Sequence, residues 1–288
     1  MAKQTVYEKV AGKILEALEA GVRPWDQCYN VSKGCFPMRS TGDEYRGINR
    51  FLLLYAMHES EFTSPMFMTF NQARKLGGSV RKGEKASLSL FYSTLEVDED
   101  GKDDPTVIPY AKQNNVFNVE QIDGLPEGFM DKFIAKPVLN DLNPCEKAEA
   151  FIRNIPVTIK EKDCVPCFRP ALDIVNMPAL GQFKTSEHYY ATAMHEITHW
   201  SGHPKRLNRF EVGKKPSKEE YAFEELVAEI GASFVLPALG IEPLIDDEHA
   251  PYISGYIKLL KKNPKAFISA CSQAEKAVDM MKSFQTAK

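Results

Sequence analysis

His195-Glu196-Ile197-Thr198-His199-Trp200 decides how this chain is read, because it sets an H-E-x-x-H pattern inside an apolar helical repeat. Histidines four residues apart stand one above the other on a single helical face. Two imidazoles so placed can close on one divalent ion, and Glu196 beside them can point at a water held there. A metal lowers the pKa of that water towards neutrality, and a neighbouring carboxylate takes its proton as it attacks a carbonyl. His195 and His199 are therefore the expected ligands and Glu196 the expected general base, a residue set suited to a zinc-dependent peptidase. Ser186 is placed to cap the helix, Tyr189, Tyr190, Ala193, Met194 and Ile197 give its apolar spacing, and Gly202 and Pro204 stop it.

A catalytic zinc site needs a third protein ligand. The extended pattern H-E-x-x-H-x-x-G-x-x-H fails here, since Gly202 fits but Lys205 stands where the last histidine belongs. The next helix offers a substitute. Ser217 and Glu220 make a capping box, and Ala222, Phe223, Leu226, Val227, Ile230 and Phe234 follow at helical spacing. Glu225 and Glu229 lie four apart on one face, so one of the two ligates and the other orients a histidine. Glu229, set among Ala228, Ile230 and Gly231, is the favoured ligand, whereas Glu219, Glu220 and Glu224 fit a solvated acidic stripe. Zn²⁺ is the expected ion, with another divalent transition metal such as Mn²⁺ as the alternative. Tyr189, Tyr190, His203 and Tyr221 are equal candidates for stabilising an oxyanion.

Composition bounds the rest. With 288 residues, a net charge of −3 and 26% charged residues, the chain can bury a sizeable core and carries no overall electrostatic bias. It has no apolar run of membrane-spanning length, and its polar start Met1-Ala2-Lys3-Gln4 is unlike a secretory signal, so a cytoplasmic protein with no membrane partner is expected. The six cysteines are then reduced thiols, and Cys164-Val165-Pro166-Cys167 reads as a tight turn.

The fold class expected is α+β, with a small mixed sheet and flanking helices in each of two domains. A helix is expected over 6–18, ended by Gly21, and a second from Asn49. Strands are expected at 67–70, 87–92 and 116–119, with Asn71 capping a short helix over 72–76. The acidic run 98–105 reads as a solvated hairpin tip. Apolar content thins between Pro126 and Pro144, which places the domain boundary there, giving domains 1–135 and 136–288. Residues 171–178 form a strand closed by Pro178, a candidate edge for holding an extended peptide by backbone pairing.

Between Phe70 and Tyr92 the cations Arg74, Lys75, Arg81, Lys82 and Lys85 face the single anion Glu84, with Phe70, Phe91 and Tyr92 interleaved. Trp25, Tyr45, Arg46 and Asn49 stand upstream. Cations that hold phosphates beside rings that stack bases suit single-stranded nucleic acid. Taken alone, these residues fit a solvated basic loop over an ordinary aromatic core slightly better.

The sequence resembles the ArdC family, antirestriction proteins of conjugative plasmids. In the first half the resemblance rests on Pro24-Trp25, Tyr45-Arg46-Gly47-Ile48-Asn49, Thr69-Phe70-Asn71-Gln72-Ala73, Gly77-Gly78-Ser79-Val80-Arg81-Lys82-Gly83-Glu84 and Val116-Phe117-Asn118-Val119-Glu120-Gln121. These are similar to an ArdC-type single-stranded-DNA-binding domain, also found at the front of plasmid TraC primases. In the second half it rests on the HExxHW motif, Arg206-Leu207 and Phe223-Glu224-Glu225-Leu226-Val227-Ala228-Glu229, which are similar to a zincin-like metallopeptidase domain. The resemblance implies a protein that follows incoming single-stranded DNA during conjugation and shields it from restriction. It favours DNA contacts from Trp25, Tyr45, Arg46, Asn49, Phe70, Arg74, Lys75, Arg81, Lys82 and Lys85, and leaves the protein substrate of the peptidase unidentified. The alternative is a non-catalytic strand-protecting module whose metal site only stabilises the fold.

Overall fold

The computed structural model describes residues 5–21, 23–27, 36–97, 106–129, 144–162, 164–241 and 250–285. The expected hairpin tip at 98–105 and the boundary between 135 and 136 lie outside these.

The chain opens with α1 (Val6–Glu19), where Thr5 and Glu8 form a capping box and Val10, Ile14 and Leu18 are buried on one face. Gly21, at φ 78°, turns the chain into the short α2 (Pro24–Gln27). Then come β1 (Met38–Arg39), α3 (Ile48–Glu59), β2 (Met66–Met68), α4 (Phe70–Lys75), β3 (Ser79–Val80), β4 (Ser87–Val97), β5 (Thr106–Asn118) and β6 (Ile122–Asp123). Thr69, one residue ahead of the helix, caps α4 in place of the expected Asn71: its hydroxyl accepts from the backbone N–H of Gln72, whose side chain bonds back to Thr69.

These strands make a four-stranded sheet in the order β1-β2-β5-β4, with β1 parallel to β2 and the other pairs antiparallel. The β4–β5 hairpin is much longer than the alternation of 87–92 suggests, its ladder running from Ser87 opposite Val116 to Val97 opposite Thr106. A small ribbon pairs β3 with β6. Gly78 is required there, since a Cβ would lie 2.8 Å from both Ile122 and Leu125.

The second half contains α5 (Pro144–Asn154), β7 (Thr158–Glu161), β8 (Cys167–Arg169), β9 (Ile174–Met177), α6 (Ser186–Ser201), α7 (Lys218–Leu239), α8 (Ala250–Lys262) and α9 (Ala266–Ser283). The three strands are ordered β7-β9-β8, parallel on the first side and antiparallel on the second. This corrects the strand expected over 171–178. It begins only at Ile174, because Asp173 turns the chain at φ 55°, and it lies in the middle of its sheet. The edge strands are β7 and β8, and β8 is the one beside α6.

Both halves share one hydrophobic core. It runs from Val10, Ile14 and Trp25 through Phe51 and Leu90 to Ile197 in α6, Phe234 in α7 and Phe267 and Val278 in α9. Trp25 stacks on Phe267 at 6.1 Å and meets Tyr256 edge-on at 5.6 Å, while Phe51 meets Phe267 edge-on at 4.9 Å. Polar ties cross the same contact: Arg46 pairs with Glu275 and Asp279, and buried Arg50 pairs with Glu44 and Glu275 between the rings of Phe36 and Phe234. A second, smaller core of Met66, Met68, Ala73, Val119, Ile122 and Phe129 lies under β2, α4 and β6. No described helix is long and apolar enough to cross a membrane.

Candidate metal centre

The site is built where α6 crosses α7. Thr185, not the expected Ser186, caps α6, its hydroxyl accepting from the N–H of His188. The helix ends at Gly202, where a Cβ would meet Phe210 and Arg209 within 2.9 Å. Ser217 and Glu220 cap α7 as the sequence predicts. The two helices touch at Gly231, where a Cβ would lie 2.5 Å from Thr198 Cγ2. That close approach brings the carboxylates of α7 to the imidazoles of α6.

His195 Nε2 and His199 Nε2 stand 3.1 Å apart. Glu225 spans both, with Oε2 3.5 Å from His195 Nε2 and Oε1 3.6 Å from His199 Nε2. Among the described residues, His195, His199 and Glu225 form the group whose ligand atoms fall within 4.8 Å of one another. Glu229, which the sequence reading favours, is placed elsewhere. Its Oε1 faces His195 Nδ1 at 3.9 Å, behind the ring, and its Oε2 pairs with Arg23 Nη1 at 3.4 Å. Glu224, which the sequence reading assigns to a solvated stripe, is drawn inward. Its Oε1 contacts His199 Nδ1 at 3.2 Å, and Arg209 grips both of its oxygens at 2.8 and 2.9 Å.

Charge at the site favours a cation. Burial opposes a proton on His195, but hydrogen bonding to Glu225 and the charges of Glu229, Glu196 and Glu225 outweigh it and hold its pKa at about 9. Burial likewise opposes charge on Glu224 and Glu225, and their partners reverse this: both stay below the usual carboxylate range, Glu224 through His199 and Arg209, Glu225 through the two histidines and Tyr221. Two converging ring nitrogens and a bridging carboxylate fit a divalent metal. The fourth participant, Glu196, is 7% exposed and accepts a hydrogen bond from the N–H of Phe168 at 2.7 Å, which ties edge strand β8 to the motif helix.

The site opens into a cleft of about 740 Å³, walled by β8 and its flanks (Cys167, Phe168), the loop after α6 (Asn208, Phe210) and the start of α7 (Tyr221). Of the four oxyanion candidates, Tyr221 alone lines this cleft. Tyr189 and Tyr190 pack against each other, with Tyr190 donating to Glu149, and His203 is buried against Phe168. Cys167 borders the cleft too, its thiol pushed up by burial and by the nearby Cys164 and Glu196.

Two segments match known family descriptions: residues 146–273 a zincin-like metallopeptidase, and residues 4–117 the N-terminal domain of the anti-restriction factor ArdC. The solved metal-free structure of the antirestriction protein ArdC from plasmid R388 superposes with a TM-score of 0.82 at 34% identity, covering 98% of each chain. The chain belongs to the ArdC family. The Mn(II)-bound structure of the R388 protein matches equally, with a TM-score of 0.81 at 33% identity and 99% coverage of each chain. Two Escherichia coli proteins named DNA primase TraC are 33% and 35% identical over 98% of this ArdC-type chain, which spans only 27% and 20% of their lengths. An uncharacterised protein of Sinorhizobium fredii is 29% identical and covered over 92% of its length.

Within the ArdC N-terminal segment, the structure separates the expected DNA contacts into two groups. Trp25, Tyr45 and Asn49 are buried, which corrects their assignment as base-stacking or strand-contacting residues. Trp25 is a core ring. Asn49 clamps the backbone of Leu90 with both ends of its amide, at 2.7 and 2.6 Å. Arg46 is committed to Glu275 and Asp279, and Arg81 to Glu84, Asp123 and the carbonyl of Glu120. Phe70, Arg74, Lys75, Lys82 and Lys85 are exposed on and after α4. The sequence reading missed Tyr110 and Lys112. Both are exposed on the hairpin, where Lys112 pairs with the 53% exposed Phe91 and Tyr110 pairs with Ser93. Paired residues share a sheet face, so Phe91, Lys112 and Tyr110 form one outward patch. Only the ladder register, which the sequence does not state, puts them together.

Proposed function

We propose that this chain binds single-stranded DNA through its N-terminal half and hydrolyses a peptide bond of a protein substrate in the cleft of its C-terminal half, as part of antirestriction. The convergence of both Nε2 atoms and Glu225 on one point of an open cleft, with Glu196 alongside, carries the hydrolytic reading. His195, His199 and Glu225 would hold the ion, with Glu229 and Glu224 behind the two rings. Two imidazoles and a carboxylate are a zinc ligand set. The Mn(II) of the R388 structure makes manganese the alternative occupant.

A divalent ion there would acidify a water and polarise a carbonyl. Glu196 takes a proton from that water as its oxygen bonds to the carbonyl carbon, then passes it to the amine as the C–N bond breaks. Tyr221, which lines the cleft beside Glu225, would donate to the carbonyl oxygen as negative charge builds. A metal that only braces the fold is typically closed in by four protein ligands, and an open cleft beside three supports the catalytic reading instead. On the DNA side, Phe91, Tyr110 and Phe70 offer faces for bases, and Lys112, Arg74, Lys75, Lys82 and Lys85 offer charge for phosphates.

Glu196→Gln in the full chain tests the hydrolytic step. The variant should keep stoichiometric metal and unchanged affinity for a single-stranded oligonucleotide, and lose about 10²-fold or more in cleavage of a peptide library. Undiminished cleavage by the purified variant contradicts the mechanism.

A further inference from the structure

Each imidazole of the metal centre is backed by a carboxylate, and each carboxylate by a guanidinium. For His199 the sequence of contacts is His199 Nδ1 to Glu224 at 3.2 Å and Glu224 to Arg209 at 2.8 and 2.9 Å. Its members all lie in the segment matched as a zincin-like metallopeptidase. For His195 it is His195 Nδ1 to Glu229 at 3.9 Å and Glu229 to Arg23 at 3.4 Å. Arg23 belongs to the other segment, the one matched as the ArdC N-terminal domain.

From this parallel we infer that Arg23 is a positioning residue of the metal centre, supplied by the N-terminal half to a site whose ligands all come from the C-terminal half. The inference rests on reading His195, His199 and Glu225 as the metal site. Arg23 is well placed for it. Its side chain is 7% exposed and that of Glu229 12%, so water screens the pair weakly. It directly precedes α2, whose Trp25 is wedged between Phe267 and Tyr256. The guanidinium is therefore held by a packed element, not by a loose tail.

At 3.9 Å the Glu229–His195 contact is electrostatic, longer than a hydrogen bond. A negative charge behind Nδ1 favours the tautomer with its proton there, which leaves the Nε2 lone pair facing Glu225 and His199. Arg23 holds that charge behind the ring and keeps Glu229 away from the Nε2 side. A histidine ligand whose outer carboxylate loses its hold typically binds metal about 10- to 100-fold more weakly. Simple electrostatics predicts the reverse sign, since removing a cation from the surroundings should strengthen dication binding. The two effects can be told apart.

The test is a competition titration of Zn²⁺ against a chromophoric chelator, on full-length wild type, Arg23→Ala, Arg23→Lys, Glu229→Gln and the Arg23→Ala/Glu229→Gln double variant. Arg23→Ala should bind Zn²⁺ about tenfold more weakly and alter the d–d absorption of the Co²⁺-loaded protein, with Arg23→Lys restoring most of both. Against a Glu229→Gln background, Arg23→Ala should cost little more, because its action runs through that carboxylate. Should Arg23→Ala not fold, Arg23→Gln replaces it throughout. Unchanged or tighter Zn²⁺ binding by the neutral variant, or losses from the two single changes that simply multiply, overturns the inference. Wild type that binds no Zn²⁺ in the same titration sinks the metal reading itself, a separate outcome.

Discussion

Asp173 shows how one residue outside the motif keeps the motif in place. It accepts two hydrogen bonds from Arg206, at 3.1 and 2.5 Å. Arg206 lies over the Trp200 ring at 3.9 Å and donates Nε to the Trp200 carbonyl at 2.7 Å. The tryptophan that extends HExxH is thus the anchor that fixes the exit of α6 to the start of β9. Hydrogen bonding to Arg206 holds the Asp173 carboxyl below its ordinary value of 3.8, with burial opposing. A depressed carboxyl contributes stability that is full above its ordinary pKa and is lost as pH falls through the folded value. Asn accepts the positive φ of this position, so Asp173→Asn isolates the charge. The variant should be about 1–3 kcal/mol less stable than wild type at pH 7 by urea unfolding, with the gap closing below about pH 4. A gap that persists unchanged at pH 2 contradicts this account of the pair.

At the scale of elements, the α6–α7 crossing explains what the sequence disclosed and what it hid. The helical spacing, the Ser217 capping box and the two histidines on one face are local properties, and they were legible. The choice between Glu225 and Glu229 depends on where one helix crosses the other. Small residues around Glu229 do mark a close contact, but that contact is Gly231 against Thr198, and the Nε2 atoms reach α7 a turn nearer its N-terminus. Burial would not have decided it, since the two side chains are 11% and 12% exposed. Gly231→Ala probes the crossing directly. Alanine gains up to about 1 kcal/mol of helix propensity. Against this stands a Cβ 2.5 Å from a Thr198 side chain that its bond to the Met194 carbonyl keeps in place, an overpacking cost of about 1–3 kcal/mol. The expected result is a lower Tm and weaker metal binding, both largely recovered by adding Thr198→Ala. A Gly231→Ala protein with wild-type metal affinity would show that helix separation does not govern the site.

Across the whole molecule, the α+β class and the order of the two family segments were readable, but their fusion was not. Trp25, Tyr45 and Asn49 look like a nucleic-acid surface in sequence because rings and amides serve cores as readily as they serve bases. Trp25 is covered by Tyr256 of α8 and Phe267 of α9, and Asn49 is held against the Leu90 backbone in β4. The helices of 250–285 supply much of that core, although no motif marks them. The N-terminal half completes this core and carries Arg23 to Glu229, so the proposed metal site is tested in the full chain. The most direct measurement is therefore Zn²⁺ affinity of full-length Glu225→Ala beside full-length Glu229→Ala. Loss of a ligand should abolish stoichiometric binding in the first, while the second, losing only the group behind His195, should retain one ion at about 10- to 100-fold weaker affinity. Stoichiometric Zn²⁺ in Glu225→Ala, with none in Glu229→Ala, would contradict the account.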